Sequence, residues 1–245
     1  MSSLLLLGLW LSAAGQPAWA ELDIAVITDE DSPGAAVNTV LRSVQEDVDA
    51  YRMNPSQSAQ AIKNHVSKGL RATYATAEYQ YTEGGKARTH TILARSGADP
   101  QLPDAALVQP RAGVTIARLD YPGFESVLAP APGSVAATDA ELKIARTMEY
   151  MTKNKKLPLG GELRMWISQA PCESCSGVLD MLHTKVLNEQ RVVVRYLPVN
   201  STGDLNSPSG RFHTSRKALL HSLQGAGVLN QGNPEAIRVL SCGPG

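Results

Sequence analysis

The strongest constraint on the fold is a pair of strand-type segments joined by two glycines. Residues 71–82 (RATYATAEYQYT) and 86–97 (KARTHTILARSG) are rich in threonine, tyrosine and other residues that favour strands. Gly84 and Gly85 lie between them, and glycine readily adopts the left-handed backbone of a tight turn. The pattern predicts an antiparallel hairpin, so the fold must contain a sheet built around it.

Helix-type and strand-type segments alternate on both sides of the hairpin. Upstream, the spacing of apolar residues predicts a strand at 22–28, a helix at 35–53 and a second helix, capped by Ser56 and ended by Gly69. Downstream, the proline-rich segment 98–138 is expected to be irregular apart from one strand at 114–121. The remaining predicted elements are helix 138–153, strand 162–170, helix 171–190, strand 191–199, helix 211–224 and a last strand at 235–241. This order predicts an α/β protein with a mixed sheet covered by helices.

Composition narrows the class of protein. The chain has 245 residues, 43% of them hydrophobic and 19% charged, which is typical of a globular protein rather than a disordered one. Lys plus Arg and Asp plus Glu each number 23, so broad electrostatic attraction to nucleic acid or acidic membranes is excluded, although a local basic patch is not. Three cysteines are too few for a disulfide scaffold.

The first twenty residues resemble a secretory leader. Residues 4–15 (LLLLGLWLSAAG) form an apolar run, and Ala18-Trp19-Ala20 follows as a small-x-small cleavage site. The run is too short for a membrane anchor, although no Lys or Arg precedes it and a buried hydrophobic helix is the alternative. We therefore expect residues 1–20 to be a signal peptide and the protein to be secreted or periplasmic.

Two pairs of residues at predicted helix starts carry the candidate chemistry. Cys172 and Cys175 form Pro-Cys-x-x-Cys, a spacing at which two thiolates bind one zinc ion at ~2.3 Å per sulfur. Asp139 and Glu141 begin the preceding helix. If both helices start at the same edge of one sheet, Asp139 is expected to join the two cysteines as a metal ligand, with Glu141 beside the metal.

This combination resembles the zinc-dependent nucleobase deaminases, whose signature is H-x-E followed by P-C-x-x-C, and in particular the toxin deaminases of bacterial polymorphic secretion systems. The resemblance covers roughly residues 56–241. It implies a cytidine deaminase-like three-layer α/β/α fold with a mixed five-stranded sheet. The expected organisation is then a signal peptide (1–20), an N-terminal helical or extended segment (21–55) and a deaminase-like domain (56–245).

The resemblance also implies an activity: hydrolytic deamination of cytosine to uracil in DNA or RNA by a secreted toxin that acts in a target cell. Zn²⁺ held by Asp139, Cys172 and Cys175 would activate a water, and Glu141 would carry its proton to the base and the leaving amino group. A cognate immunity protein is the implied partner, with no membrane involved. Asp139 departs from the family's usual histidine, and this makes the ligand set more negative; His183 is too far along its helix from Cys175 to replace it, about 12 Å.

Other interpretations of the same residues stay open. Thr138-x-x-Glu141 also matches a helix capping box, and the cysteines alone match a thiol–disulfide motif. A non-catalytic binding module on a deaminase scaffold and a free-nucleoside deaminase are further alternatives. Lys143 is expected to be an exposed helix charge, unless it belongs to the toxin pattern D-x-E-x-K. Lys153, Lys155 and Lys156 form a basic loop, and Ser96-Gly97 either ends a strand or lies near the substrate pocket.

Overall fold

The computed structural model describes five stretches of the chain, residues 21–52, 57–98, 112–128, 138–198 and 204–229. Their strands are β1 (Leu22–Val26), β2 (Tyr74–Glu83), β3 (Lys86–Arg95), β4 (Val114–Ile116), β5 (Glu162–Ile167) and β6 (Val192–Tyr196). Their α-helices are α1 (Pro33–Arg52), α2 (Ala59–Gly69), α3 (Ala140–Lys153), α4 (Glu173–Met181) and α5 (Pro208–Leu229). In these stretches no helix has both the length and the apolar character needed to cross a membrane.

The strands form one mixed sheet in the order β1-β6-β5-β2-β3-β4. Strand β2 is antiparallel to both β3 and β5, whereas the other neighbouring pairs are parallel. The predicted α/β class is confirmed, but the prediction of five strands is wrong because the described sheet has six. β1 forms one edge beside β6, with Leu22 opposite Val192, a pairing between distant segments that no local pattern specifies.

Helices pack on both faces of this sheet. Side chains alternate between the faces of a strand, so Ala75 and Ala77 of β2 join α3 and α4 in one hydrophobic core. Tyr74, on the opposite face, joins α1, α2 and α5 in a second core. On that second face Ser43 of α1 also contacts the hydroxyl of Thr76 at 2.8 Å. The chain therefore forms three layers, with the sheet in the middle.

The predicted hairpin is confirmed. Gly84 and Gly85 have φ angles of 56° and 74°, the left-handed backbone that a two-residue turn with this twist requires. The ladder runs from the pair Glu83–Lys86 at the turn to Tyr74–Arg95 at the far end. Arg95 therefore lies at the opposite end of the hairpin from the glycines.

Several element boundaries differ from the prediction for local reasons. Ser58 caps α2, through a 3.1 Å bond from the amide of Ala61, whereas the predicted cap, Ser56, lies outside the described residues. The strand predicted at 114–121 ends at Ile116. α5 begins at Pro208, a residue suited to the first helical position. The helix predicted to reach residue 190 ends its α-helical part at Met181 and continues as a π-helical turn, Leu182–Val186. The leader (1–20) and the last strand (235–241) also lie outside the described residues.

The sheet places the last residues of two strands, β3 and β5, at the same end. Because β3 and β5 are both antiparallel to β2, they run in the same direction and finish at the same edge of the sheet. Ala75 pairs with Ile167, the last residue of β5, and the neighbouring Tyr74 pairs with Arg95, the last residue of β3. The segments that follow these two strands are thus brought to one edge of the molecule.

Candidate metal centre

The first side of the site is the beginning of α3. Asp139 is the residue before the helix, with extended backbone angles and no capping bond from its side chain. The carbonyl of Thr138 accepts a 2.8 Å hydrogen bond from the amide of Gly97, and Gly97 has a φ of 100°. The segment after β3 therefore anchors the start of α3 at the sheet edge and leaves the Asp139 carboxylate available to a neighbour.

The second side is the beginning of α4, which follows β5. Cys172 caps the helix, and its sulfur accepts a 3.3 Å bond from the amide of Cys175. Cys175 is buried, whereas Cys172 is exposed, and both are free cysteines. Unpaired backbone amides at a helix start favour a thiolate, so this segment presents two sulfurs in a position where they can lose their protons to a metal.

The two helix starts meet. The Asp139 Oδ2 atom lies 3.1 Å from the sulfur of Cys175 and 3.8 Å from that of Cys172. The two sulfurs are 3.1 Å apart. A tetrahedral zinc ion would hold two sulfurs about 3.8 Å apart, so binding would require the thiols to separate by less than ~1 Å. The structure thus contains a possible metal-binding group of Asp139, Cys172 and Cys175, compatible with zinc.

The electrostatics of the group favour a cation. Burial raises the pKa of the Cys175 thiol, and the negative charges of Glu141 and Asp139 raise it further. Acidic groups crowded in this way resist ionisation unless a positive charge joins them. A divalent metal supplies that charge and holds a coordinating thiol deprotonated. The donor set therefore fits zinc chemically as well as geometrically.

Glu141 is the second residue of α3 and is almost fully buried, with 3% of its surface exposed. Its Oε2 atom has no hydrogen-bond partner among the described residues. Burial raises the pKa of Glu141 to about 7, with the charge of Asp139 adding to the rise and its own backbone amide opposing it. A buried carboxyl that titrates near neutrality has the property expected of a general acid and base.

The capping-box interpretation of Glu141 is wrong. It required Thr138 to cap the helix with Glu141 in the third helical position. Asp139 is the capping residue instead, with no capping bond from its side chain, so Glu141 is in the second helical position. Its burial without a partner on Oε2 needs another explanation.

Lys143 is not the exposed helix charge that we expected. It is fully buried, with 1% of its surface exposed, because α3 contacts the sheet on one side and α4 and the segment after β4 on others. It lines a small internal cavity together with Asp47 and Arg95. No histidine of the described chain joins the metal-binding group; His90, for example, contacts the hydroxyl of Thr115, and His183 is buried on the π-helical turn.

A cleft of about 890 Å³ opens beside Asp139. The loop after β3 forms one wall, so Ser96 and Gly97 lie in the cleft next to Asp139. The sequence had left open whether these two residues only end a strand or lie near a pocket. The other wall is α2 and the turn after it. The polar and charged residues of that wall are Gln57, Asn64, His65, Ser67, Lys68 and Arg71.

Sequence reasoning did not identify that second wall. Lys68 and Arg71 belong to no motif, and only the path of α2 across the sheet end brings them to the cleft. The same holds for the buried cluster behind the wall, where Asp47 contacts His65 at 2.8 Å and Arg95 at 3.3 Å. The only signal in the sequence is that Asp47 and His65 each adjoin a buried valine of an amphipathic helix, Val48 and Val66.

No protein-family model, curated protein or solved structure matches this chain.

Proposed function

We propose that this protein is a zinc-dependent nucleobase deaminase that converts cytosine to uracil in nucleic acid. The observation that carries the proposal is the meeting of Asp139, Cys172 and Cys175 beside a buried carboxyl, Glu141, whose Oε2 atom lacks a partner among the described residues. The order α2, hairpin, α3, β5, α4, β6, α5 is also the order of elements implied by the resemblance to that family. The proposal includes the secreted-toxin role, with residues 1–20 as its leader and an immunity protein as its partner.

Asp139, Cys172 and Cys175 would hold the zinc ion. When bound, zinc lowers the pKa of a water molecule toward neutrality and so supplies a nucleophile. With two thiolates and one carboxylate the ligand set is more negative than one with a histidine, so this effect is weaker here. The buried Glu141 must therefore contribute a larger share of the proton chemistry.

Glu141 would move the protons. Its carboxylate accepts a proton as the water oxygen bonds to carbon 4 of cytosine, and it passes that proton to the adjacent ring nitrogen. Glu141 then accepts the proton of the new hydroxyl on carbon 4 and delivers it to the amino nitrogen. The bond from carbon 4 to the amino nitrogen breaks, ammonia leaves, and the hydroxyl oxygen becomes the carbonyl of uracil. A pKa near 7 suits both halves of this exchange because neither protonation state is strongly favoured.

The test combines metal analysis with an activity assay. Purified protein should contain one zinc per chain and should release ammonia from a cytosine-containing oligonucleotide, with uracil appearing in the sequence. Glu141→Gln should bind zinc as well as the wild type but lose at least about 100-fold in rate, since positioned proton transfer contributes about 10²–10⁴-fold.

Each alternative has a distinct outcome in this assay. If the protein contains zinc but does not deaminate DNA, RNA or cytidine, it is a binding module rather than an enzyme. Activity on cytidine alone would make it a free-nucleoside deaminase. A chain without zinc that exchanges disulfides through Cys172 and Cys175 would be a thiol–disulfide protein.

A further inference from the structure

We infer that Lys68 and Arg71 bind a phosphate group of the substrate in the cleft that leads to Asp139. The ligand class is a phosphate-bearing pyrimidine, either a free nucleotide or a nucleotide within a strand. The inference rests on the proposed function for the identity of the base, whereas the binding of phosphate depends only on the cleft.

The first support is the position of the two cations. Lys68 lies in the last turn of α2, and Arg71 follows in the turn after it, where its amide bonds to the carbonyl of Lys68 at 3.1 Å. Both side chains are exposed, and both line the same cleft as Asp139. A ligand that occupies this cleft therefore has Asp139 on one side and the two cations on the other.

The second support is that their charges are not neutralised. Within the described chain, the ion pairs include neither Lys68 nor Arg71. The other cationic groups of the cleft, His65 and Arg95, are different because both contact Asp47. Two unpaired cations close together form the kind of site that an anion occupies.

The third support is the balance of charge around the cleft. Asp139 is the one acidic residue among the described residues that line it, and in the proposed enzyme its charge is taken up by the metal. The whole chain has a net charge of zero, so this excess of positive charge is local. Gln57, Asn64 and Ser67 add neutral hydrogen-bonding groups, which suit a sugar and a phosphate better than an apolar ligand.

Binding can be tested without turnover. The probes are a fluorescein-labelled, cytosine-containing single-stranded DNA 12-mer, the same sequence as RNA, deoxycytidine monophosphate and deoxycytidine. Zinc-loaded protein is titrated with each over a series of salt concentrations. The double variant Lys68→Ala, Arg71→Ala should weaken oligonucleotide binding roughly tenfold for each charge removed. The slope of log affinity against log salt should fall by about 0.7, since each phosphate that is no longer neutralised on a single strand contributes about that much.

The matched control removes one lysine and one arginine elsewhere. Lys86 and Arg88 lie at the hairpin turn, and Lys86 is nine residues from Arg95 along β3, about 30 Å at the rise of a strand. Lys86→Ala, Arg88→Ala should leave both affinity and slope unchanged. Because all four residues are exposed, thermal melting should confirm that both variants fold.

The outcomes separate the inference from the proposed function. Equal loss in both double variants, or loss in neither, overturns the phosphate site whether or not the protein deaminates cytosine. A loss confined to Lys68→Ala, Arg71→Ala supports it, even in a protein that shows no deamination. If the monophosphate also depends on the pair, the source is a free nucleotide; if only the oligonucleotides do, it is a strand. Deoxycytidine that binds as tightly as the monophosphate likewise identifies the strand as the source.

Discussion

Two buried polar groups lie near the same end of the sheet, and they are built in opposite ways. In the cluster of Asp47, His65 and Arg95, the carboxylate contacts two basic groups of the chain itself. At the candidate metal centre, the acids of Asp139 and Glu141 form no ion pair with any described residue. The Asp139 carboxylate contacts the two thiols instead. The charges of the first group are balanced within the chain, whereas the second is a possible metal-binding group whose acids have no cationic partner among the described residues.

The pKa values of the two buried carboxyls reflect this difference. Burial alone would raise the pKa of Asp47, but the hydrogen bond from His65 and the charge of Arg95 outweigh it and hold the pKa below its usual range. Burial raises the pKa of Glu141 to about 7 because no cation opposes it. Similar burial thus gives a permanent anion in one place and a group that exchanges protons near neutrality in the other. We therefore expect the first to contribute to stability and, under the proposed function, the second to take part in the chemistry.

Zinc binding should show the largest contrast between the two groups. Cys175→Ser removes a ligand, so the zinc dissociation constant should rise by more than about 100-fold. Loss of a residue that only supports a ligand already weakens metal binding by about 10–100-fold. Asp47→Asn should leave zinc affinity unchanged, because Asp47 belongs to the other cluster. Competition against a chromogenic chelator measures both constants. If Cys175→Ser binds zinc like the wild type, the chain has no metal centre at these helix starts.

Stability should show the reverse contrast. Asp47→Asn leaves Arg95 and His65 buried without their carboxylate, and breaking a buried ion pair in this way lowers the free energy of unfolding by about 3–5 kcal/mol. Glu141→Gln replaces a carboxyl that is protonated in the folded chain at pH 4.5, so at that pH the change should be below about 1 kcal/mol in the zinc-free protein. Urea unfolding of both variants measures the difference. Equal destabilisation would mean that Glu141 has a structural role comparable to that of Asp47.

The sequence predicted the parts of the molecule that depend on local residues. The hairpin follows from two glycines and two runs of β-type residues, and the residues at both helix starts are readable because Pro-Cys-x-x-Cys and Asp-x-Glu are contiguous patterns. It did not predict the burial of Lys143, because α3 is covered around most of its circumference and periodicity assumes one exposed face. Whether a residue such as Lys143 is exposed or buried depends on packing between elements that are far apart in the chain.

The strand at the start of the described chain was predicted, but its place in the sheet and the Asp47 cluster were not, for the same reason. The paired residues of β1 and β6 are 170 positions apart in the chain, as with Leu22 and Val192. Asp47, His65 and Arg95 come from α1, α2 and β3, and each is ordinary in its own segment. Contacts of this kind are set by the order of strands in the sheet, which local patterns do not specify.

The pH dependence of stability should have opposite signs for the two carboxyls, with the smallest effects of the three comparisons. The folded pKa of Glu141, about 7, lies above its unfolded value near 4.5, so the native state holds the proton more tightly. In zinc-free protein its contribution should therefore fall as pH rises from about 4.5 to 7, by on the order of 3 kcal/mol. The folded pKa of Asp47 lies below its usual 3.8, so its contribution is present above that value and is lost as pH falls through the folded pKa. In urea unfolding across this range, Glu141→Gln should flatten the dependence of the unfolding free energy on pH between about 4.5 and 7. Asp47→Asn should flatten the same dependence at more acidic pH. A Glu141→Gln profile that follows the wild type would show that this carboxyl is ionised in the folded chain.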